Sequence, residues 1–161
     1  MAALPDVVET ERLRLPLWRA ADVAAIRAGE RRPDWHLQFP REEDTLAASL
    51  WREGDPWAPR SISRADVVVG SIGFFGPPEP ASDGTPEVEV GYGLVEDARG
   101  VGYATEALQA MARAAETAGA RLRASVSPDN QASIRVLARC GFTELRGSNE
   151  HGELVMVRPL R

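Results

Sequence analysis

A short glycine-containing turn near the middle of the chain constrains its fold more than any other feature. The turn, residues 99–104 (Arg-Gly-Val-Gly-Tyr-Ala), follows a strand-like pattern over residues 88–95 and precedes a helix-like pattern over residues 103–118. Glycine lets the backbone approach a ligand closely, and the first turn of a helix offers unpaired N–H groups at the positive end of its dipole. The pattern therefore predicts an anion site suited to phosphate or pyrophosphate. A tight connection that binds nothing is the alternative, because a Gly-x-Gly pattern alone is weakly specific.

The strand before this turn has two chemically different faces. Apolar side chains occupy alternate positions, namely Val88, Val90, Tyr92 and Leu94. The positions between them carry two carboxylates and two glycines, namely Glu87, Glu89, Gly91 and Gly93. Because alternate side chains of a strand point to opposite faces, we expect one face in the core and one open face with space beside it.

Strand and helix patterns are mixed along the rest of the chain. Strands are predicted at residues 12–17, 61–64, 67–75, 122–126 and 153–157, and helices at residues 22–27, 45–52, 103–118 and from Asn130 to Gly141. A crossover helix after the glycine turn favours a layered structure of the α/β or α+β class. At 161 residues the chain fits one domain, residues 1–161.

Composition narrows the classes of function. A net charge of −5 disfavours nucleic-acid binding and suits a cationic acceptor. The single cysteine, Cys140, excludes an internal disulfide, and together with His36 and His151 it offers no metal-ligand spacing, so we expect no metal. There is no membrane-length apolar run, and the N-terminal residues lack the apolar core of a signal peptide. A soluble cytoplasmic protein is the expectation.

A second motif lies about thirty residues after the turn. Asn130 and Ser133 lie three apart on one helix face, and Gly141-Phe142 follows. Either polar residue could simply cap the helix. Together with the turn, however, this stretch resembles the GNAT superfamily of acyl-CoA-dependent N-acyltransferases. It is most similar to the Rim-type branch, which is related to ribosomal-protein N-terminal acetyltransferases.

The resemblance implies a mostly antiparallel, splayed sheet flanked by helices, with acetyl-CoA entering beside the strand that ends near Val95. The pantetheine arm would pair with the strand backbone and with Asn130, and the backbone N–H groups of residues 100–104 would hold the pyrophosphate. Arg135 and Arg139 either reach a CoA phosphate or are simply exposed to solvent. The implied cofactor-binding set is Leu94, Val95, Arg99, Gly100, Val101, Gly102, Tyr103, Ala104, Asn130 and Arg135.

The same resemblance suggests the acid–base groups. Glu89, on the open strand face, is the candidate for removing a proton from the amine, with a surface carboxylate or an ion-pair partner as the alternative. Ser133 is placed to donate a proton to the departing thiolate or to hydrogen-bond it. An oxyanion donor would come from the strand backbone near Leu94.

The acceptor side is less defined. Gly93 stands where the Rim-type branch usually has tryptophan, so we expect a wider acceptor pocket there. Trp35, His36 and Phe39 are the other candidates for its wall, with core packing as the commoner role of such aromatic side chains.

The predicted function is therefore transfer of an acetyl group from acetyl-CoA to a primary amine, either a protein N-terminus or a small molecule. The alternative is a non-catalytic acyl-CoA-binding module of the same fold. A Rossmann dinucleotide site is disfavoured because Thr105 stands where the third glycine would be required. No nucleic-acid or membrane partner is expected, and the chain would be a monomer or a homodimer.

Overall fold

The computed structural model describes residues 4–160, in which nine strands form one sheet and four α-helices flank it. The strands are β1 (Val7–Glu9), β2 (Leu13–Pro16), β3 (Arg60–Arg64), β4 (Val67–Phe74), β5 (Glu79–Pro80), β6 (Pro86–Leu94), β7 (Arg121–Val126), β8 (Glu144–Ser148) and β9 (Leu154–Arg158). The helices are α1 (Ala20–Ala28), α2 (Glu42–Ala48), α3 (Tyr103–Thr117) and α4 (Gln131–Arg139).

The sheet is antiparallel throughout except at one pair of strands. Its order is β1-β2-β3-β4-β6-β7-β9-β8, with β5 pairing the start of β6, and only β6 and β7 run parallel. Helix α3 makes the crossover between these two parallel strands, as parallel neighbours require. The predicted mixed fold with a mostly antiparallel sheet is thus confirmed.

The sheet splays open between β6 and β7. Their pairing comprises three residue pairs and ends at Glu89 opposite Arg123. Beyond that point β6 stays paired with β4 on its other side as far as Leu94, while β7 stays paired with β9. Within residues 4–160, the edge of β6 that faces β7 therefore has no neighbouring strand over residues 90–94.

The helices cover opposite faces of the sheet at β6. Tyr92 reaches Ser133 of α4 on one face, whereas Gly93 lies beneath Arg41, the residue before α2, on the other. Helix α3 buries a stripe of small and apolar side chains against the sheet, which fits its amphipathic pattern: Ala107, Leu108, Met111, Ala112 and Ala115. None of the helices within residues 4–160 has both the length and the hydropathy needed to cross a membrane.

The second helix starts earlier than the sequence pattern indicates. It was expected over residues 45–52 but occupies Glu42–Ala48. The Asp44 carboxylate accepts a hydrogen bond from the backbone N–H of Arg41 at 2.8 Å, which fixes the first turn. Beyond Ala48 the chain leaves the helix, and Trp51 donates its indole N–H to the Trp18 carbonyl.

Candidate active site

Two hydroxyl groups meet on the α4 face of the open strand edge. The side-chain Oδ1 of Asn130 accepts from the backbone N–H of Ser133 and so caps α4. This cap orients the first turn, and the Ser133 hydroxyl lies 2.9 Å from the phenol oxygen of Tyr92 on β6. Burial raises the pKa of Tyr92, and the hydrogen bond with Ser133 offsets this only in part. The pair therefore stays protonated and able to donate.

Glu89 lies on the opposite face, where β6 and β7 separate. Its Oε1 is 3.4 Å from Nε of Arg123, its neighbour across the last pair of the parallel ladder. Arg123 also reaches the buried carboxylate of Glu87 at 3.1 Å, so one guanidinium orients both glutamates. Glu89 therefore has an ion-pair partner, as in the alternative interpretation, and also lies beside the gap.

Glu87 is the centre of a cluster of arginines at the start of the β6–β7 pair. Arg121 and Arg146 each approach its carboxylate at 2.6 Å, in addition to Arg123. Burial alone would raise the pKa of Glu87, but the hydrogen bonds from Arg146, Arg121 and Arg123 outweigh it and lower this pKa to about 2. The carboxylate is thus charged throughout the physiological range and ties the two strands together.

The glycine turn has the geometry that its sequence predicts. Gly100 and Gly102 adopt φ of 84° and 88°, a left-handed conformation that favours glycine, and Gly102 leads directly into α3. A Cβ at Gly100 would meet no atom of residues 4–160 within 4 Å, so this part of the chain leaves the space beside the turn open.

Arg12 fastens the turn to the second strand. Its Nη1 donates to the Val101 carbonyl at 2.9 Å, its Nε contacts Glu106 at 2.7 Å, and its guanidinium lies 4.6 Å from the centre of the Tyr103 ring. Arg64 adds a 2.9 Å hydrogen bond to the Tyr103 hydroxyl. These contacts hold the α3 N-terminus in place against the sheet.

The remaining predicted cofactor residues fall around the gap. Arg99 donates from Nε to the Leu94 carbonyl at 3.1 Å, and the Val95 N–H donates to the Val69 carbonyl at 2.8 Å. Ala104 lies in the first turn of α3, and Arg135 and Arg139 are exposed on α4. The predicted cofactor-binding residues thus lie at the end of β6, in the glycine turn and along α4.

The α2 face of the site holds a cavity of about 300 Å³, called here the apolar cavity. Its walls are mainly apolar and include Leu46, Ala47, Leu50, Phe74 and Phe75, and its floor is formed by β4 and β6.

Polar side chains contact this floor at one end. Arg41 donates from Nε and Nη2 to the carboxylate of Asp44 at 3.0 and 2.8 Å, and Ser71 donates to the same carboxylate. The Asp44 side chain is completely buried.

Gly93 does not widen the acceptor pocket as the sequence suggested. A Cβ at this position would lie 2.0 Å from Nη1 of Arg41, so the guanidinium fills the space that the missing side chain leaves. At Gly91, a Cβ would lie 2.9 Å from the tip of the Phe75 ring. At Gly93 the open face expected from the sequence is covered by Arg41, whereas Gly91, although close to Phe75, still lines the apolar cavity.

A second, more polar cavity of about 630 Å³ adjoins the first and is called here the acidic cavity. Glu89, Arg123, Asp55 and Glu79 line it, and it shares Leu50 and Phe75 with the apolar cavity. The acidic cavity leads to Glu89, which places this carboxylate within reach of a cationic group that enters there.

The aromatic candidates for the pocket wall lie elsewhere. Trp35 and Phe39 are buried in the hydrophobic core and pack edge to face with ring centroids 5.1 Å apart. The His36 ring lies 3.5 Å from Asp97, outside both cavities. Core packing therefore accounts for the two large rings, and a part for them in the acceptor pocket stays a prediction.

Residues 12–143 match the family model described as the acetyltransferase (GNAT) domain. The chain belongs to this family. The match begins just before β2 and spans both cavities, the glycine turn and the Asn130–Phe142 motif, so the resemblance to the GNAT superfamily drawn from the sequence is confirmed. No curated protein matches the chain in sequence.

Several solved structures share this fold. The acetyltransferase from Agrobacterium tumefaciens str. C58 aligns with a TM-score of 0.66 at 26% identity, over 98% of this chain and 95% of that chain. Mycobacterium smegmatis RimJ, in complex with CoA-disulfide, aligns with a TM-score of 0.65 at 22% identity, over 95% of this chain and 86% of that chain. RimL, a ribosomal L7/L12 alpha-N-protein acetyltransferase in complex with coenzyme A, aligns with a TM-score of 0.64 at 21% identity, over 99% of this chain and 98% of that chain.

Sequence reasoning missed Tyr92, Arg41 and Asp44. The alternation of β6 assigned Tyr92 to the core face, and only the placement of α4 brings its hydroxyl to Ser133. A weak signal existed for the other two, because an acidic residue three positions after Arg41 is typical of a helix start. Within residues 4–160 no group of three or more potential metal ligands comes together.

Proposed function

We propose that this protein transfers an acetyl group from acetyl-CoA to a primary amine by direct attack of the amine on the thioester. The observation that carries the proposal is the gap between β6 and β7, with a carboxylate on one face and a hydroxyl pair on the other. An amine that enters from the Glu89 side and a thioester from the Ser133 side would meet across the sheet. One continuous sheet joins all these elements, which supports a single catalytic domain.

The chain's residues fit the acetyl-CoA that the family implies. The open edge of β6 offers backbone groups to the amide-bearing pantetheine arm, next to Leu94 and Val95. The N–H groups of residues 100–104 suit the pyrophosphate, since open space and a helix N-terminus meet there. Asn130 and Arg135 would complete the set along α4. The RimJ and RimL structures that share this fold contain forms of CoA, which supports the assignment.

Glu89 is the base in this proposal. The amine must lose a proton to become a nucleophile, and Glu89 faces the acidic cavity through which a cationic amine would approach. Arg123 keeps the carboxylate oriented toward the gap. Arg123 is a positioning residue here, because it acts through Glu89 and does not itself contact the reacting atoms.

Ser133 is the proton donor on the leaving-group side. As the new C–N bond forms, the C–S bond breaks and the sulfur gains a proton from the Ser133 hydroxyl. Tyr92 can return a proton to Ser133 across their 2.9 Å hydrogen bond, and solvent water restores the proton of Tyr92 while the second proton of the amine nitrogen leaves to solvent.

The acceptor is a primary amine, and a protein N-terminus is favoured among its forms. RimL is described as a ribosomal L7/L12 alpha-N-protein acetyltransferase. Arabidopsis thaliana Naa50, in complex with the bisubstrate analogue CoA-Ac-MVNAL, also shares the fold, at 15% identity and a TM-score of 0.60. A thiol-release assay with acetyl-CoA and a panel of peptide and small-molecule amines tests the proposal. Acetyl-CoA binding without amine-dependent thiol release from any acceptor would instead support a non-catalytic acyl-CoA-binding module.

A further inference from the structure

The apolar cavity has the features of a binding pocket for an apolar group. Three large apolar side chains around it are exposed, with Leu46 at 65%, Leu50 at 45% and Phe75 at 58%. Exposed apolar residues scattered singly are ordinary, but a cluster around a concave apolar site marks a ligand or partner contact. Burying a charged or strongly polar chain in this cavity would cost free energy that nothing apolar there could offset.

Arg41, a cation at the floor of this cavity, already has its counter-charge. Nε and Nη2 of Arg41 contact the buried Asp44 carboxylate, and the exposed Glu43 carboxylate lies 4.0 Å from Nη1. Among residues 4–160, Nη1 makes no hydrogen bond, although it lies over Gly93 beside the open edge of β6. Nη1 can therefore donate to a ligand, but its surroundings do not attract a further negative charge. A neutral carbonyl oxygen fits this environment better than a carboxylate.

We propose that the acceptor is the N-terminal residue of a peptide with an apolar side chain, which the apolar cavity holds while Nη1 of Arg41 donates to its carbonyl. The inference rests on the proposed acetyl transfer and names its substrate class. The amine then lies between the two cavities, where Leu50 and Phe75 separate the apolar cavity from the acidic one that leads to Glu89. Polyamines and aminoglycoside-like amines would have to place charge in the apolar cavity, and a free amino acid would bring a second carboxylate beside Glu43.

Four small amines separate the parts of this proposal. Leucinamide has the amine, the apolar side chain and a neutral carbonyl, whereas leucine carries a carboxylate, 3-methylbutylamine lacks the carbonyl, and serinamide has a polar side chain. We expect kcat/KM, expressed per concentration of unprotonated amine because the four amines differ in basicity, to be about tenfold or more higher for leucinamide than for each of the other three, since the loss of a matched apolar or hydrogen-bonding contact has effects of that size. Equal or higher kcat/KM for serinamide or leucine would overturn the inference.

A matched pair of variants tests the location. Ala47→Leu places three more carbons in the apolar cavity, so it should raise KM for leucinamide by about tenfold and leave that for serinamide nearly unchanged. Thr45→Leu adds an apolar group on the same helix at an exposed position outside the cavity and is the control. Thermal unfolding of both variants, with and without acetyl-CoA, reports whether they fold and bind the cofactor. If Ala47→Leu raises KM equally for leucinamide and serinamide, the apolar side chain of the substrate does not bind in the apolar cavity and the inference is overturned.

The two proposals fail in different ways. If acetyl-CoA raises the melting temperature and some amines are acetylated without preference for leucinamide, acetyl transfer stands and the substrate inference is refuted. If no amine releases thiol from acetyl-CoA, the proposed function itself is refuted. The order of the four amines for the wild-type chain decides the substrate inference without any variant.

Discussion

Replacing Gly93 by alanine should disturb a buried ion pair in another element of the fold. The new Cβ would lie 2.0 Å from Nη1 of Arg41, whereas ordinary van der Waals contacts begin at about 3.4 Å. The guanidinium must therefore move by more than 1 Å, and it can do so only by loosening its two hydrogen bonds to Asp44. The carboxylate of Asp44 is completely buried and cannot turn to solvent instead.

The size of the effect follows from the fate of that carboxylate. Deleting one partner of a buried pair costs about 3–5 kcal/mol, and displacement of a side chain that stays nearby costs less. Alanine also restricts the unfolded chain, which returns about 0.4–1 kcal/mol. We therefore expect Gly93→Ala to lower the free energy of unfolding by about 1–3 kcal/mol. Each kcal/mol corresponds to a melting temperature about 2–4 °C lower in a chain of this size.

Gly91→Ala is the matched control, two residues earlier on the same face of the same strand. Its Cβ would lie 2.9 Å from the tip of the Phe75 ring, which is more than half exposed and can swing away. We expect this variant to be as stable as the wild type or slightly more stable. Urea unfolding of the three proteins at pH 7 compares them directly. If Gly93→Ala proves as stable as Gly91→Ala, the ion pair over Gly93 does not have the structural role assigned to it.

Three further predictions concern the chemistry and the strand pairing. Glu89→Gln should lower kcat/KM by about 10²–10⁴-fold and remove the dependence on a basic group from the pH–rate profile. The Kd for acetyl-CoA, measured by calorimetry, should stay unchanged. An unaltered pH–rate profile would exclude Glu89 as the base. Tyr92→Phe should lower kcat less than Ser133→Ala does, because it removes only the group that returns a proton to Ser133. Equal losses in the single-turnover rates of the two variants would show instead that the two hydroxyls act as one unit. The pKa of Glu87 is lowered on folding, from about 4.5 to about 2, so its contribution is complete above about pH 4.5 and is lost as the pH falls toward 2. Urea unfolding between pH 6 and pH 3 should show a loss of stability that is about 2 kcal/mol larger in the wild type than in Glu87→Gln.

Features that depend on local sequence were predicted well. The alternation in β6 placed Tyr92 and Gly93 on opposite faces, and helical spacing located α3 to within a residue at its C-terminal end. The glycine turn was found because left-handed backbone at Gly100 and Gly102 leaves a direct mark on the sequence. Such patterns depend only on residues that are close together in the sequence, so they can be recognised before the fold is known.

Features that depend on distant contacts could not be found in this way. The pocket at Gly93 was predicted to be wide because the glycine has no side chain, yet the space is filled by Arg41, fifty-two positions earlier in the chain. Trp35 and Phe39 were pocket candidates because large aromatic rings serve either role, and only the packing of the core decides between the two. An empty position on one strand does not reveal which other element will cover it.

The location of the gap, by contrast, can be explained from two short stretches of sequence taken together. Glu87 and Glu89 stand directly opposite Arg121 and Arg123, so opposite charges meet at alternate pairs of the parallel ladder. Such cross-strand pairs stabilise one register over its alternatives. If the same register continued, Gly91 would stand opposite Ser125, and a glycine has no side chain to pair with it. The charged pairs hold the strands together up to Glu89, and no further charged pair is available at Gly91 and Gly93. The gap therefore opens directly after the carboxylate proposed as the base.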